Sequence, residues 1–439
     1  MAVRNITRRD FLVTTGAGAA AMAAAGGVSC GWEEKRPTNV ILIMADDLGW
    51  ETLGCYGGTA YPTPVLDELA RTGARFNHCY SQPLCTPTRV QLMTGQYNFR
   101  NYIGFGVLKP GEPTFGHMMQ EAGYATCAVG KWQLWGANDS RGMGGRGVYP
   151  DEAGFDEYCL WQIEEVGERY ADPLMYLNSR EPEKLVGAYG PDVATEYLLD
   201  FVERQGGQPF FAYYPMILPH DPFVPTPNSP EWLTGDRRQR GERFFGDMVT
   251  HVDKLVGRIT QKLDELGIRE NTLVMFLGDN GTNRSITSPT TRGEVAGHKG
   301  FPDDGGTRVP LIAHWPGTIP GGQVLDDLVD TTDFLPTIAA VTGARPPSGV
   351  QVDGRSFEPQ LRGEMGDPRE WVFCHYDPDW GNFTRSRFAR DQRWKLYDDG
   401  RLYEVPEDPL EEYALESGSG GPEAAAARQR LQQVLERLG

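Results

Sequence analysis

The stretch Cys85-Thr86-Pro87-Thr88-Arg89 sets a thiol just ahead of a helix start, with a guanidinium one turn further on. Proline is favoured at the first turn of a helix. A helix N-terminus favours anions and groups of lowered pKa. Read chemically, Cys85 is a nucleophile beside an anion site. Read blandly, it is a small buried hydrophobe, and Pro87 only opens a helix. Two further stretches carry oxygen ligands: Asp46-Asp47 and Asp279-Asn280 each end a short apolar run. Such pairs can serve as helix caps. Two of them at strand ends of one sheet would instead offer the converging carboxylate and amide oxygens that Ca²⁺ or Mg²⁺ requires. The chain has no Cys/His cluster at ligand spacing, which makes zinc the less suitable metal.

These residues need elements to hold them. Asn39 to Met44 is a short apolar run rich in β-branched residues and predicts a buried strand, as does Asn271 to Leu277. Further strands are expected at Ala74 to Tyr80, Tyr124 to Val129, Pro209 to Met216 and Val309 to Trp315. Helices are expected at Pro64 to Arg71, Thr114 to Ala122, Asp192 to Arg204, Arg243 to Leu266 and Asp333 to Val341. Alternating strands and helices predict an α/β fold, a large mostly parallel sheet flanked by helices on both faces. In such sheets ligands bind beyond the carboxyl ends of the strands, where both acidic pairs fall. Past residue 365 the pattern changes to short strands and a closing helix from Pro422 to Leu438. The expected division is a catalytic α/β domain over 37–365 and a smaller α+β subdomain over 366–439.

The first thirty residues form a separate unit. Thr7-Arg8-Arg9-Asp10-Phe11-Leu12 is a twin-arginine export signature, followed by an Ala/Gly-rich run too short and Gly-rich to span a membrane. The expected location is periplasmic or secreted, with the twin-arginine (Tat) export machinery as a partner. Cys30 follows Val28-Ser29 as in a lipoprotein attachment site, but Gly27 stands where a bulky aliphatic residue belongs. Membrane attachment is expected only if Cys30 is lipidated. The seven cysteines include no CxxC pair and give no disulfide framework. A net charge of −18 excludes a nucleic-acid binder, which needs clustered Lys and Arg. An anionic substrate would have to be met by a locally cationic pocket.

The Cys-x-Pro-x-Arg pattern at 85–89, with Thr94-Gly95 shortly after, resembles the signature of the type I, formylglycine-dependent sulfatases of the alkaline phosphatase superfamily. The resemblance runs along nearly the whole mature chain. It takes in Asp46 to Gly49, Gly130-Lys131-Trp132, His220 to Pro222, Asp279-Asn280-Gly281, Gly297-His298-Lys299-Gly300 and Gly306 to Pro310. Trp315-Pro316-Gly317, Trp394-Lys395-Leu396 and Leu402-Tyr403-Glu404 continue it into the tail. It implies that Cys85 is oxidised to formylglycine by a maturation enzyme, and that one hydroxyl of the hydrated aldehyde attacks sulfur. It further implies that Asp46, Asp47, Asp279, Asn280 and residue 85 ligate one cation, Ca²⁺ in most relatives, with Mg²⁺ the alternative. By the same likeness Arg89 and Lys131 hold the diol and sulfate oxygens, His220 protonates the leaving alcohol, and Lys299 places a second cation on the sulfate. The implied substrate is a sulfated small molecule or glycan.

One departure bears on mechanism. The family usually has Gly-Lys-Trp-His-Leu where this chain has Gly130-Lys131-Trp132-Gln133-Leu134. Glutamine hydrogen-bonds a diol but accepts no proton near neutral pH, so Gln133 is expected to orient while His298 or water takes the proton. A milder departure is Asp304, near where relatives place Glu. Two other readings stay open: a phosphate or phosphonate ester hydrolase of the same superfamily, and an inactive sulfoglycan-binding relative. The Gly-rich loop from Ala137 to Tyr149, with Arg141 and Arg146, and Trp380 in the tail are candidate sugar contacts.

Overall fold

The computed structural model describes residues 37–137, 144–416 and 418–438. The export signature, Cys30 and Arg141 lie outside the described residues. Strand β1 (Asn39–Ala45) is buried along its whole length. Side chains of a strand alternate between faces, so Val40, Leu42 and Met44 join one core while Ile41, Ile43 and Ala45 join another. Burying each of the larger ones (Val, Leu, Ile and Met) stabilises the fold by roughly 1.5–3 kcal/mol, and a strand apolar on both faces needs a layer on each. The first core receives Val90, Leu92, Phe115, Met118, Phe334 and Ile338 from helices Cys85–Thr94, Phe115–Glu121 and Phe334–Thr342. The second receives side chains from helices Pro64–Thr72, Gly190–Arg204 and Phe245–Glu265.

Along the chain β1 is followed by β2 (Ala74–Tyr80), β3 (Ala125–Lys131), β4 (Glu157–Trp161), β5 (Leu174–Leu177) and β6 (Glu183–Lys184). Next come β7 (Phe210–Pro215), β8 (Thr272–Gly278), a separate hairpin of β9 (Thr287–Thr290) and β10 (Gly293–Ala296), then β11 (Arg308–His314) and β12 (Gln323–Asp330). The ten-stranded sheet has the order β12-β2-β11-β8-β1-β7-β3-β4-β5-β6. It is mixed but mostly parallel. Its central pairs, β1 with β7 and β8 and β3 with β4 and β7, all run parallel, whereas β11 lies antiparallel to both β2 and β8. The register of β1 on β8 sets Ala45 opposite Gly278. Asp46 and Asp279, one residue further along each strand, therefore emerge side by side.

Past residue 365 the chain forms a four-stranded antiparallel sheet of β13 (Val372–Tyr376), β14 (Ser386–Arg390), β15 (Trp394–Tyr397) and β16 (Leu402–Glu404). Helix Gly421–Arg437 covers one face of it through Leu431, Val434 and Leu435, which pack with Phe373, Trp394 and Leu396.

Candidate active site at the carboxyl ends of the strands

Asp46 and Asp47 continue β1, and Asp279 and Asn280 continue β8. Asp47 adopts a left-handed backbone, φ 65°, which Asp tolerates better than most residues, and its N–H donates to Asp279 Oδ1 at 3.0 Å. All four residues are buried. From the end of β3, Lys131 Nζ donates to both oxygens of Asp46, at 2.8 and 3.0 Å. Gly130 carries φ 112° there, and a Cβ on it would collide with the Pro215 carbonyl of β7; only glycine lets the strands turn so closely.

Cys85 is the first residue of helix Cys85–Thr94, all ten residues of which are buried. Its neighbour one turn on, Arg89, donates from Nη2 to Asp279 Oδ2 at 3.0 Å and from Nη1 to the Lys131 carbonyl at 3.1 Å. The ligand atoms of Asp46, Cys85 and Asp279 all lie within 4.8 Å of one another, as do those of Asp46, Asp47 and His220. Lys299 completes the cluster, with Nζ 2.6 Å from Asp47 Oδ2 and 3.0 Å from His220 Nε2. The residues expected as nucleophile, cation ligands and sulfate-binding cations thus meet at one point.

The electrostatics correct one expectation. A lowered thiol pKa was expected at the helix N-terminus; instead burial pushes the Cys85 thiol up, with Lys131 opposing and Asp46 and Asp279 adding to the rise. A plain thiolate nucleophile is disfavoured. The S–H donates to Gln133 Oε1 at 3.0 Å, so the amide that replaces the usual histidine does face position 85. Burial alone would raise Asp46, but the charges of Lys131, His220, Arg89 and Lys299 hold it well below the usual carboxylate range. Asp279 goes the other way: burial first and the Asp46 charge second raise it, against Arg89 and Lys131.

The donor set fits a hard divalent cation. Asn280 Nδ2 is spent on Asp47 Oδ1 and the Gly281 carbonyl, both at 2.9 Å, while Asn280 Oδ1 is buried without a hydrogen-bond partner among the described residues. An orphaned buried acceptor costs about 1–3 kcal/mol. A cation at the carboxylates would satisfy it and would relieve the repulsion between Asp46 and Asp279.

A family model described as Sulfatase matches residues 38–344 of this chain. The chain belongs to the sulfatase family. As such it is a sulfuric ester hydrolase, similar to arylsulfatases and part of the alkaline phosphatase superfamily. A second model, described as N-sulphoglucosamine sulphohydrolase, C-terminal, matches residues 298–438 of the sulfatase. Arylsulfatase A of Homo sapiens is 31% identical to it over 94% of this chain and 90% of the relative. N-acetylgalactosamine-6-sulfatase of Canis lupus familiaris is 32% identical over 75% of this chain and 66% of its own length. A solved structure described as BT4656 in complex with its substrate D-glucosamine-2-N,6-O-disulfate shares the fold, with TM-score 0.73 at 23% identity, over 92% of this chain and 97% of that one.

The sulfatase's site opens into a pocket of about 350 Å³ whose floor includes Cys85, Lys131, Gln133, His220 and Lys299. Its walls carry residues that no motif flagged: Gln162 and Arg169 after β4, Asn283 and Arg284 after β8, and Phe105 and Phe383. Trp380, a candidate sugar contact, does line this pocket and stacks on Phe105 with ring centroids 4.6 Å apart. His298 does not. Its Nδ1 lies 2.9 Å from Asp303 Oδ2, so the histidine expected to take the diol proton in place of Gln133 is engaged by a carboxylate and does not line this pocket. Asp304, the second departure, is buried and ion-paired with Arg390 of β14. Lys395 of β15 reaches the Pro302 carbonyl. The C-terminal sheet therefore clamps the loop on which Lys299 sits.

Proposed function

We propose that this sulfatase cleaves a sulfate ester of a sulfated carbohydrate, using formylglycine made from Cys85 and one divalent cation, Ca²⁺, held by Asp46, Asp47, Asp279 and Asn280. The observation that supports it most is the convergence of the position-85 side chain with Asp46 and Asp279 within 4.8 Å, beside an unsatisfied amide oxygen. The aldehyde hydrate supplies a nucleophilic hydroxyl, and the cation lowers that hydroxyl's pKa and offsets sulfate charge. The chain's own residues do the rest. Lys131 and Lys299 present ammonium groups to the sulfate oxygens from opposite carboxylates, and Arg89 fixes Asp279 and the end of β3. Gln133 Oε1 accepts a hydrogen from the group at position 85 and orients it without removing the proton.

His220 is pushed down to about 3, by burial first and the nearby Lys299 ammonium, with Asp47 opposing. It therefore rests neutral. Its Nδ1 lies 2.6 Å from the Asp221 carbonyl, which fixes the proton on Nδ1 and leaves Nε2 to accept from Lys299. The proton for the leaving oxygen is thus held by the Lys299–His220 couple, not by a free imidazolium. The twin-arginine sequence supports export to the periplasm or beyond by that route, with a maturation enzyme acting on Cys85. No described helix is long and apolar enough to cross a membrane.

The test combines two measurements on protein from the native host. Conversion of Cys85 lowers the mass of its tryptic peptide by about 18 Da, and the same preparation should hydrolyse aryl sulfate in preference to aryl phosphate. Cys85→Ala should abolish turnover and leave the melting temperature nearly unchanged. An unmodified thiol in active protein, or turnover by the alanine variant, would refute the assignment.

A further inference from the structure

We propose that the pocket takes a substrate bearing a second anionic group, a carboxylate or another sulfate, near the sulfate to be cleaved, and that Arg169 and Arg284 bind it. The inference rests on the sulfatase reading above and narrows its substrate class. Both guanidinium groups line the same pocket as Cys85 and Lys299, and neither has a carboxylate within 4.0 Å among the described residues. Arg169 is half-buried, its guanidinium 4.2 Å from the centroid of the buried Trp161 ring. The nearest polar neighbour of Arg169 is His220 Nδ1, 3.1 Å from Nη1. That nitrogen is shared with the Asp221 carbonyl, 2.6 Å away, and it carries no negative charge to offset the guanidinium. The Asp221 carboxylate lies 3.4 Å from the same nitrogen and accepts from Asn283 at 3.1 Å, without coming within 4.0 Å of Arg169. Arg284 sits at the rim, 5.5 Å from the Phe301 centroid and 5.7 Å from that of Phe383. A guanidinium held against aromatic rings keeps further N–H groups for a carboxylate or sulfate, which it can receive through two parallel bonds.

Charge counting points the same way. Inside the site, Asp46, Asp47 and Asp279 are matched by Arg89, Lys131 and Lys299. A sulfate monoester brings one negative charge, a bound divalent cation two positive ones, and Arg169 and Arg284 add two more. A singly charged substrate leaves a surplus of positive charge in a partly desolvated pocket; a substrate with further anionic groups removes it. In a chain of net charge −18, the only attraction available to a polyanion is of this local kind.

The experiment compares the wild type with Arg169→Gln/Arg284→Gln. Substrates are 4-nitrophenyl sulfate, with one charge, a glucosamine carrying two sulfates, and a sulfated disaccharide carrying a uronate. We expect the wild type to favour a doubly charged substrate by tenfold or more in kcat/KM, and the double variant to lose at least tenfold of that preference. The disulfate and uronate arms tell a sulfate partner from a carboxylate. Calorimetric binding of the same doubly charged sugars to the Cys85→Ala protein supplies a readout independent of turnover, and adding the two arginine substitutions should weaken it tenfold or more. Unchanged binding, or an equal fall for singly and doubly charged substrates, overturns the proposal. Wild-type protein that hydrolyses none of the sulfate esters would sink the sulfatase reading instead, while the binding comparison still decides the role of the arginines.

Discussion

Replacing Lys395 by Met removes a cation that is fully buried, 2.6 Å from Glu411 Oε1 and 3.8 Å from the centroid of the Phe388 ring. Met matches its length and fills the space, so the loss is one of charge. Glu411 is left in the interior with only the Tyr397 hydroxyl as partner among the described residues. Breaking a buried pair by deleting one member costs about 3–5 kcal/mol. With an unfolding entropy of about 2.1 cal/mol/K per residue, a fold of about 400 residues loses about 1.2 °C per kcal/mol, so the melting temperature should fall by about 4–6 °C. The same change frees the Pro302 carbonyl, three residues from Lys299, and should lower kcat/KM on aryl sulfate by about 10–100-fold through misplacement of that ammonium. Calorimetry and steady-state kinetics read the two effects. Adding Glu411→Gln neutralises the stranded carboxylate and should recover half or more of the lost stability, though not the activity. A melting shift under 1 °C for Lys395→Met, or a double variant no more stable than the single one, would refute the reasoning.

Two further outcomes follow from the same geometry. In Asp279→Asn the melting gain on adding Ca²⁺ should shrink to less than half that of the wild type, which at a hundredfold excess over Kd is about 2.7 kcal/mol; an equal gain would remove Asp279 from the ligand set. Asp253 accepts the Val65 and Leu66 N–H groups at the start of helix Pro64–Thr72, at 3.1 and 2.8 Å, and burial raises its pKa to about 6 against those two hydrogen bonds. Since its folded pKa exceeds the unfolded one, its contribution is whole below about pH 4 and is lost as pH rises through about 6. The melting difference between wild type and Asp253→Asn should therefore favour the wild type more at pH 4.5 than at pH 7.5, and a pH-independent difference would count against the shift.

The central strands were legible because burial on both faces leaves an uninterrupted apolar run, as in Val40 to Met44. β12 was not, because its sequence QVLDDLVD mixes acids with aliphatics, and β5 and β6 are too short to show a period. The acidic pairs were legible for a related reason: each directly continues a readable strand, and the β1–β8 register then brings them together. Residues on long connections carry no such signal. Arg169 and Arg284 reach the pocket only through the path of the loops after β4 and β8. His298 adjoins Lys299 in a motif, yet the chain turns there and Asp303 engages the histidine, so only the lysine lines the pocket. The thiol of Cys85 misled because a helix terminus is favourable to charge only where solvent or cations outweigh burial.

Cys85 is 2% exposed and begins a helix with no residue at the surface. Buried to this degree, the side chain is out of reach of another protein's active site once the fold has closed around it. Under the proposed reading the chemistry at position 85 must therefore be completed on a chain that has not yet folded, and, for a protein that then crosses a membrane in its folded form, on the cytoplasmic side. Timing becomes a property of the sequence: a chain that folds faster than it is processed would be stable, correctly shaped and permanently inert.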